Sequence, residues 1–181
     1  MTVVPQRLRW FSTLVSGSHA DRILEVGCGT GILLALLAER LPSTMLVGID
    51  RSALQVRKAT QRLAALPNPP RVYERELEAA DAPLASAPFS RIIAMNVNLV
   101  WTQPVSAGIA LRALLAPRGR VLLGFEPPTP SGRAGLQDRL ARAATAAGFA
   151  QGMEDHDRAS STFAVEWRRL PQRAQAGTAE P

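Results

Sequence analysis

The amino-acid sequence predicts an α/β fold: a doubly wound sandwich in which helices cover both faces of a seven-stranded, mostly parallel sheet with an antiparallel last strand. Apolar runs alternate with amphipathic stretches from residue 22 to residue 168, which is typical of βα units on a parallel sheet. An early apolar run breaks into Gly27, Gly29 and Gly31, as when a buried strand turns tightly into a helix. The last two apolar runs leave no room for a helix between them, so we expect an antiparallel hairpin at a sheet edge.

The elements follow in order from this periodicity. The predicted strands lie near residues 22–26, 45–49, 71–75, 91–95, 119–125, 150–154 and 161–168. The predicted helices lie at residues 5–16, 30–41, 52–65, 104–115 and 132–147. Prolines indicate several of these element boundaries. Pro42 and Pro67 mark the ends of helices, and Pro117 begins the turn into the fifth strand.

Length and composition favour one domain over residues 1–170. A chain of 181 residues can bury a single core, and residues 171–181 lack apolar periodicity, so we expect a disordered tail. No stretch approaches the roughly 18 apolar residues of a membrane span, and the N-terminal residues do not form a secretory signal. The single cysteine excludes an intrachain disulfide. The expected compartment is the cytoplasm, without a membrane partner.

The net charge of +6 comes from scattered arginines, and Lys58 is the only lysine. A dispersed basic balance affects solubility and non-specific attraction more than it specifies a partner. The charge is therefore assigned to a solvated surface, and nucleic acid is not the favoured partner.

The glycine turn after the first strand is the main candidate binding site. Glycine accepts positive φ and has no Cβ, so the main chain can approach a ligand closely, and the helix that follows begins with unpaired N–H groups. Asp50 ends the second strand, 19 residues after Gly31. In a doubly wound sheet, a carboxylate at this position can accept hydrogen bonds from ribose hydroxyls. The structural alternative is an N-cap of the next helix, provided by Asp50 or Ser52.

The glycine spacing distinguishes two classes of nucleotide cofactor. A dinucleotide fingerprint is Gly-x-Gly-x-x-Gly, whereas Ile32 stands where its third glycine would be. Glu25, two residues before the first glycine, would repel a pyrophosphate, but it suits a ligand that carries an ammonium group. S-adenosylmethionine has an adenosine, an amino-acid end and no phosphate. The alternative for Glu25 is a carboxylate bonded to nearby backbone amides.

At these residues the chain resembles the class I S-adenosylmethionine-dependent methyltransferases, which implies a Rossmann-like fold. Glu-Val-Gly-Cys-Gly-Thr-Gly at 25–31 matches the first motif of that family, and Gly-Ile-Asp-Arg-Ser at 48–52 matches its second-strand acid. Cys28 is interpreted as a small buried side chain and not as a nucleophile, because no histidine is near it in sequence. The resemblance implies that S-adenosylmethionine is held by Glu25, Gly27, Cys28, Gly29, Gly31, Asp50 and Arg51.

Residues 77–84 resemble the third element of the same family. The resemblance implies that Glu78 meets the adenine amino group and that the N–H of Ala79 meets an adenine ring nitrogen. Glutamate stands where the family usually has aspartate, so Glu76 and Asp81 compete with Glu78 for this role. A solvated acidic loop is the structural alternative.

The segment after the fourth strand, Asn-Val-Asn-Leu-Val-Trp at 96–101, resembles a small-molecule subset of the family with the pattern Asn-Val-x-x-x-Trp. This implies that Asn96 lies at the methyl-donor end and that Val97 and Trp101 border the substrate. Packing under the next helix is the alternative for Trp101. Glu126 follows the fifth strand at its carboxyl end, which makes it a candidate for the substrate pocket and, by position only, for a base; a proline-stiffened surface loop at 126–130 is the alternative.

The resemblance implies an enzyme that transfers a methyl group from S-adenosylmethionine to a small molecule, with the acceptor and the catalytic residues unidentified. The alternatives are a non-catalytic protein that binds S-adenosylmethionine and a nucleic-acid methyltransferase. No metal site is expected, because His19 and His156 have no partners at ligand spacing. With so short a chain, either the pocket is open or a second subunit of a homodimer covers it.

Overall fold

The computed structural model describes residues 3–79, 84 and 88–170; the predicted tail at 171–181 lies outside them. Its strands are β1 (Arg22–Val26), β2 (Met45–Asp50), β3 (Arg71–Glu74), β4 (Phe89–Met95), β5 (Leu115–Phe125), β6 (Phe149–His156) and β7 (Phe163–Arg169). Its helices are α1 (Gln6–Leu14), α2 (Ile32–Arg40), α3 (Ala53–Leu63), α4 (Leu99–Thr102), α5 (Pro104–Leu114) and α6 (Gly132–Ala146).

The strands form one sheet of order β3-β2-β1-β4-β5-β7-β6. β1 to β5 pair in parallel, and β7 runs antiparallel to both of its neighbours, β5 and β6. This confirms the predicted class, including the antiparallel last strand. The chain adds β2 and β3 on one side of β1 and then adds β4 and β5 on the other side. The carboxyl ends of the parallel neighbours β1 and β4 therefore meet at a topological switch point, which is where open α/β sheets bind ligands.

The predicted and observed boundaries differ most around the fifth strand. The sequence predicted a helix to residue 115 and a strand from residue 119, whereas α5 ends at Leu114 and β5 begins at Leu115. Leu115 pairs with Phe89 before a register shift brings Arg120 opposite Arg91. Apolar periodicity cannot reveal this early pairing, because it depends on where β4 lies.

Helices pack on both faces of the sheet, as β1 illustrates. Leu24 and Val26 belong to a buried cluster that includes α5 and α6 side chains, whereas Ile23 belongs to a cluster with α1, α2 and α3. Successive side chains of a strand point to opposite faces, so a strand covered on both sides is apolar almost throughout. Glu25 departs from this rule, because it is a charged residue with only 3% of its surface exposed.

No helix within residues 3–79, 84 and 88–170 combines the length and apolar character that crossing a membrane requires.

Candidate functional site

A cavity of about 600 Å³ opens at the carboxyl edge of the sheet, above the ends of β1, β2, β3 and β4. Its volume lies in the usual range for small-molecule sites. The residues that line it are Val26, Gly27, Ile49, Asp50, Arg51, Arg75, Glu76, Leu77, Glu78, Asn96, Val97, Asn98, Leu99, Thr102 and Gln103. The cavity therefore brings together the first, second and third predicted motifs with the segment after β4.

The glycine turn joins β1 to α2, and its three glycines all have positive φ, at 69°, 52° and 74°. A Cβ on Gly27 would lie 2.7 Å from Val97 Cγ2, and a Cβ on Gly31 would lie 3.1 Å from Ala59 Cβ. Gly27 lines the cavity, whereas Gly29 and Gly31 do not. The first glycine thus keeps space open at the cavity wall, and the other two shape the turn behind it.

Asp50 lines the cavity and also holds the glycine turn. Its Oδ2 accepts a hydrogen bond from the N–H of Gly29 at 2.9 Å, and its Oδ1 accepts one from the N–H of Ser52 at 2.9 Å. The N-cap of α3 is Ser52, whose Oγ accepts from the N–H of Gln55. Each carboxylate oxygen has a further lone pair, so Asp50 can still accept hydrogen bonds from hydroxyl groups in the cavity.

Glu25 is buried and does not line the cavity. The N–H of Leu34 is directed at its carboxylate, whereas its Oε2 has no hydrogen-bond partner among the described residues. Burial, and then the nearby charge of Asp50, raise the pKa of Glu25 well above its usual value, against the lowering effect of the Leu34 amide. The backbone-amide alternative is thus partly realised, and one oxygen of this carboxylate is left unpaired.

The raised pKa of Glu25 predicts a pH dependence of stability in the free protein. Between the ordinary glutamate pKa of about 4.3 and the raised pKa, the folded state keeps a proton that the unfolded state has lost. This contribution is complete below the ordinary pKa and is lost as pH rises through the raised one, with a slope of at most about 1.4 kcal/mol per pH unit. Urea unfolding across this window is expected to show a flatter pH profile for Glu25→Gln than for the parent chain.

The matched control is Glu39→Gln, which removes an exposed carboxylate from α2. It should keep the parent pH profile. A Glu25→Gln profile that parallels the parent would mean that Glu25 titrates normally.

Cys28 is buried within the glycine turn and does not line the cavity. Burial, followed by the charges of Glu25 and Asp50, raises the pKa of its thiol. The thiol therefore stays protonated, and a protonated thiol is a poor nucleophile.

Asn96 is the only non-glycine residue of the described chain with positive φ, at 58°. Its N–H donates to the carbonyl of Gly124 at 2.8 Å, and its Oδ1 accepts from the N–H of Glu126 at 2.9 Å. These bonds tie the end of β4 to the end of β5 and stabilise an unfavourable backbone conformation, a kind of strain that concentrates at functional sites. The amide NH₂ and the second lone pair of Oδ1 are left for the cavity.

The segment after β3 supplies charged groups to the cavity. Glu76 and Glu78 both line it, so the choice between them stays open, and Asp81 lies outside the described residues. Arg51, which follows β2, lines the cavity as well. Ala79 does not line it, and its N–H donates to the carbonyl of Glu76 at 3.2 Å.

Two of the three predicted substrate residues lie outside the cavity lining. Trp101 packs against the core with the Arg139 guanidinium 5.2 Å from its ring centre, as in the packing alternative. Glu126 accepts from Arg7 at 3.2 Å through Oε2 and from the Thr162 hydroxyl at 3.4 Å through Oε1. The third, Val97, lines the cavity.

Sequence reasoning assigned no site role to Arg75, Leu99, Thr102 or Gln103, all of which line the cavity. A signal for Gln103 was present, because Pro104 occupies the first turn of α5 and proline favours that position. Gln103 must therefore lie in a connection next to the predicted motif. No comparable sequence signal indicates that Arg75 lines the cavity.

The family model and the curated relatives that match this chain are all methyltransferases. A family model described as a methyltransferase domain matches residues 23–119. The chain is 33% identical to trans-aconitate 2-methyltransferase of Variovorax paradoxus (strain S110), over 71% of this chain and 46% of that protein. It is 32% identical to malonyl-[acyl-carrier protein] O-methyltransferase of Herminiimonas arsenicoxydans, over 60% of this chain and 38% of that protein. The chain thus spans less than half the length of these two relatives.

Solved structures share the fold at low sequence identity. Magnesium protoporphyrin IX methyltransferase from Synechocystis PCC 6803, solved with bound S-adenosylmethionine, has a TM-score of 0.65 at 19% identity, over 90% of this chain and 76% of that one. An S-adenosylmethionine-dependent methyltransferase from Aquifex aeolicus has a TM-score of 0.69 at 16% identity, over 91% and 90% of the two chains.

Proposed function

Because the chain belongs to the class I S-adenosylmethionine-dependent methyltransferases, we propose that it binds S-adenosylmethionine in the carboxyl-edge cavity and transfers the methyl group to a small-molecule acceptor. The observation that carries the proposal is the pairing of Asp50 with the glycine turn. One carboxylate both fixes the turn through Gly29 and faces the cavity.

The residues present fit this cofactor by their chemistry. The lone pairs of Asp50 suit ribose hydroxyls, and Gly27 provides a wall where a Cβ would collide with Val97. Glu25 does not line the cavity, so no contact with the ammonium group of an amino-acid end is assigned to it. Glu76 or Glu78 can accept from an adenine amino group.

When bound, S-adenosylmethionine supplies an electrophilic methyl group on a sulfonium, and the sulfur keeps the bonding electron pair when a nucleophile takes the methyl. The chain's own contribution is alignment. Asn96, fixed by its two hydrogen bonds to the β5 end, would orient the reacting groups through its side-chain amide. We assign no base to Glu126, because both of its oxygens already accept hydrogen bonds and it does not line the cavity. The acceptor's proton is then released to water.

A small molecule is the acceptor class that best fits the cavity. Its volume of about 600 Å³ suits a small ligand, and the name of the trans-aconitate relative indicates a small acceptor for that protein. We also propose a cytoplasmic location, with which a chain that carries a single cysteine agrees.

The experiment that tests the proposal is methyl transfer from labelled S-adenosylmethionine to a panel of metabolites. We expect labelled product and an equal amount of S-adenosylhomocysteine from at least one acceptor, and neither without enzyme. Failure of the protein to bind the donor at all would contradict the proposal.

A further inference from the structure

The cavity is divided by charge between its two sides. Among the described residues, its ionisable lining residues lie at the end of β2 or directly after β2 and β3, and these are Asp50, Arg51, Arg75, Glu76 and Glu78. The lining residues after β4 are Asn96, Val97, Asn98, Leu99, Thr102 and Gln103, and none of these six carries a charge. We call this second group the β4 half.

The β4 half lies where the acceptor must bind, and this step rests on the proposed function. Asp50 at the end of β2 would hold the ribose, and Gly27 at the end of β1 would face the amino-acid end. Because β1 lies between β2 and β4 in the sheet, the reacting end of the donor points toward β4. The acceptor must approach the methyl group from the β4 half.

The polar atoms of the β4 half are neutral donors and acceptors. Asn96 offers its NH₂ and the second lone pair of Oδ1, whose first accepts from the Glu126 amide. The Thr102 hydroxyl donates to the carbonyl of Asn98 at 3.1 Å, which leaves its oxygen as an acceptor. Asn98 makes no side-chain cap to α4, so its amide is available, as is that of the exposed Gln103. Val97 and Leu99 add apolar surface.

Two arginines outside the cavity lining, on α1 and α6, are engaged elsewhere. Arg7 is paired with Glu126 at 3.2 Å, and the Arg139 guanidinium lies against the Trp101 ring. An acceptor carboxylate in the β4 half would gain no opposite charge from these six residues. The neutral amide and hydroxyl groups of the β4 half can instead satisfy the hydrogen bonds of an uncharged polar group on the acceptor.

We propose that the acceptor is an uncharged polar small molecule, with its apolar body against Val97 and Leu99 and its polar atoms bonded to Asn96 and Gln103. This specificity separates the chain from methyltransferases whose acceptors are carboxylic acids. The side-chain amides act here as specificity-determining groups.

The test is binding of a matched pair of probes, 4-hydroxybenzamide and 4-hydroxybenzoate, to the protein saturated with S-adenosylhomocysteine. Amide resonances of residues 96–103 report where each probe binds. We expect the neutral probe to shift these resonances and to bind at least about tenfold more tightly than the anion. Equal or tighter binding of the anion would overturn the proposal, and so would the absence of shifts at 96–103 with both probes. Failure of the proposed function would show earlier, as a protein that S-adenosylhomocysteine does not saturate.

A charge introduced into the β4 half gives a second, independent readout. Gln103→Arg is expected to raise the affinity for 4-hydroxybenzoate by about tenfold and to reduce the preference for the neutral probe. The matched control is Gln137→Arg on α6, which adds the same charge outside the cavity and should leave the preference unchanged. An unchanged preference in Gln103→Arg, or an equal change in both variants, would contradict an acceptor site at this position.

Discussion

Replacing Asp50 with asparagine is expected to weaken S-adenosylhomocysteine binding by roughly 10- to 150-fold, the equivalent of one lost hydrogen bond to a charged group, about 1.5–3 kcal/mol. The carboxylate accepts from the Gly29 and Ser52 amides, one through each oxygen. An asparagine must turn its NH₂ toward one of these N–H groups, so the variant loses a ribose partner and also disturbs the glycine turn. Calorimetric titration measures the change directly.

The control for this substitution is Asp138→Asn, an identical change at an exposed position on α6. It alters the net charge equally and leaves the cavity untouched, so it should bind with the parent affinity. Asp50→Asn binding as tightly as the control would remove the main support for the proposed cofactor site. Thermal unfolding of both variants separates a local loss of affinity from a general loss of folding.

Replacing Gly108 with alanine is expected to lower the free energy of unfolding by about 3 kcal/mol, at the upper end of typical overpacking costs. Gly108 lies on α5 where the helix approaches the end of α6, and a Cβ there would lie 2.6 Å from both Cα and Cβ of Ala147. The obstacle includes backbone and cannot move away as a flexible side chain would. Urea or thermal unfolding measures the effect.

The control is Gly135→Ala, also within a helix, where an added Cβ meets nothing within 4 Å. Alanine is favoured over glycine inside helices by roughly 0.5–1 kcal/mol, so this variant should be stabilised. We therefore expect Gly108→Ala to lower the free energy of unfolding and Gly135→Ala to raise it. A neutral or stabilising effect of Gly108→Ala would mean that α5 and α6 are not packed this closely.

The class of fold could be predicted because it depends on local patterns. Apolar runs of strand length alternating with helical periodicity leave few topologies, and the short connection before β7 requires an antiparallel last strand. The start of β5 at Leu115 and the helix α4 could not be predicted in this way. Both depend on contacts with other parts of the chain, as the pairing of Leu115 with Phe89 shows.

The site was predictable where a residue's position follows from the end of a strand. Gly27 directly follows β1 and Asp50 ends β2 at the carboxyl edge, so the topology alone brings them to the cavity. Glu126 directly follows β5 and Trp101 lies on α4, but their side chains turn toward Arg7 and toward the α6 arginine. Which way a side chain turns after a strand end is decided by its tertiary partners.

The central claim is that the cavity holds a phosphate-free adenosine with an amino-acid end. Calorimetric titration of the full chain with S-adenosylhomocysteine, beside the same titration with NADH, tests it most directly. We predict saturable binding of S-adenosylhomocysteine at one site per chain and no binding of NADH. Binding of NADH without binding of S-adenosylhomocysteine, or no binding of either, would contradict the claim.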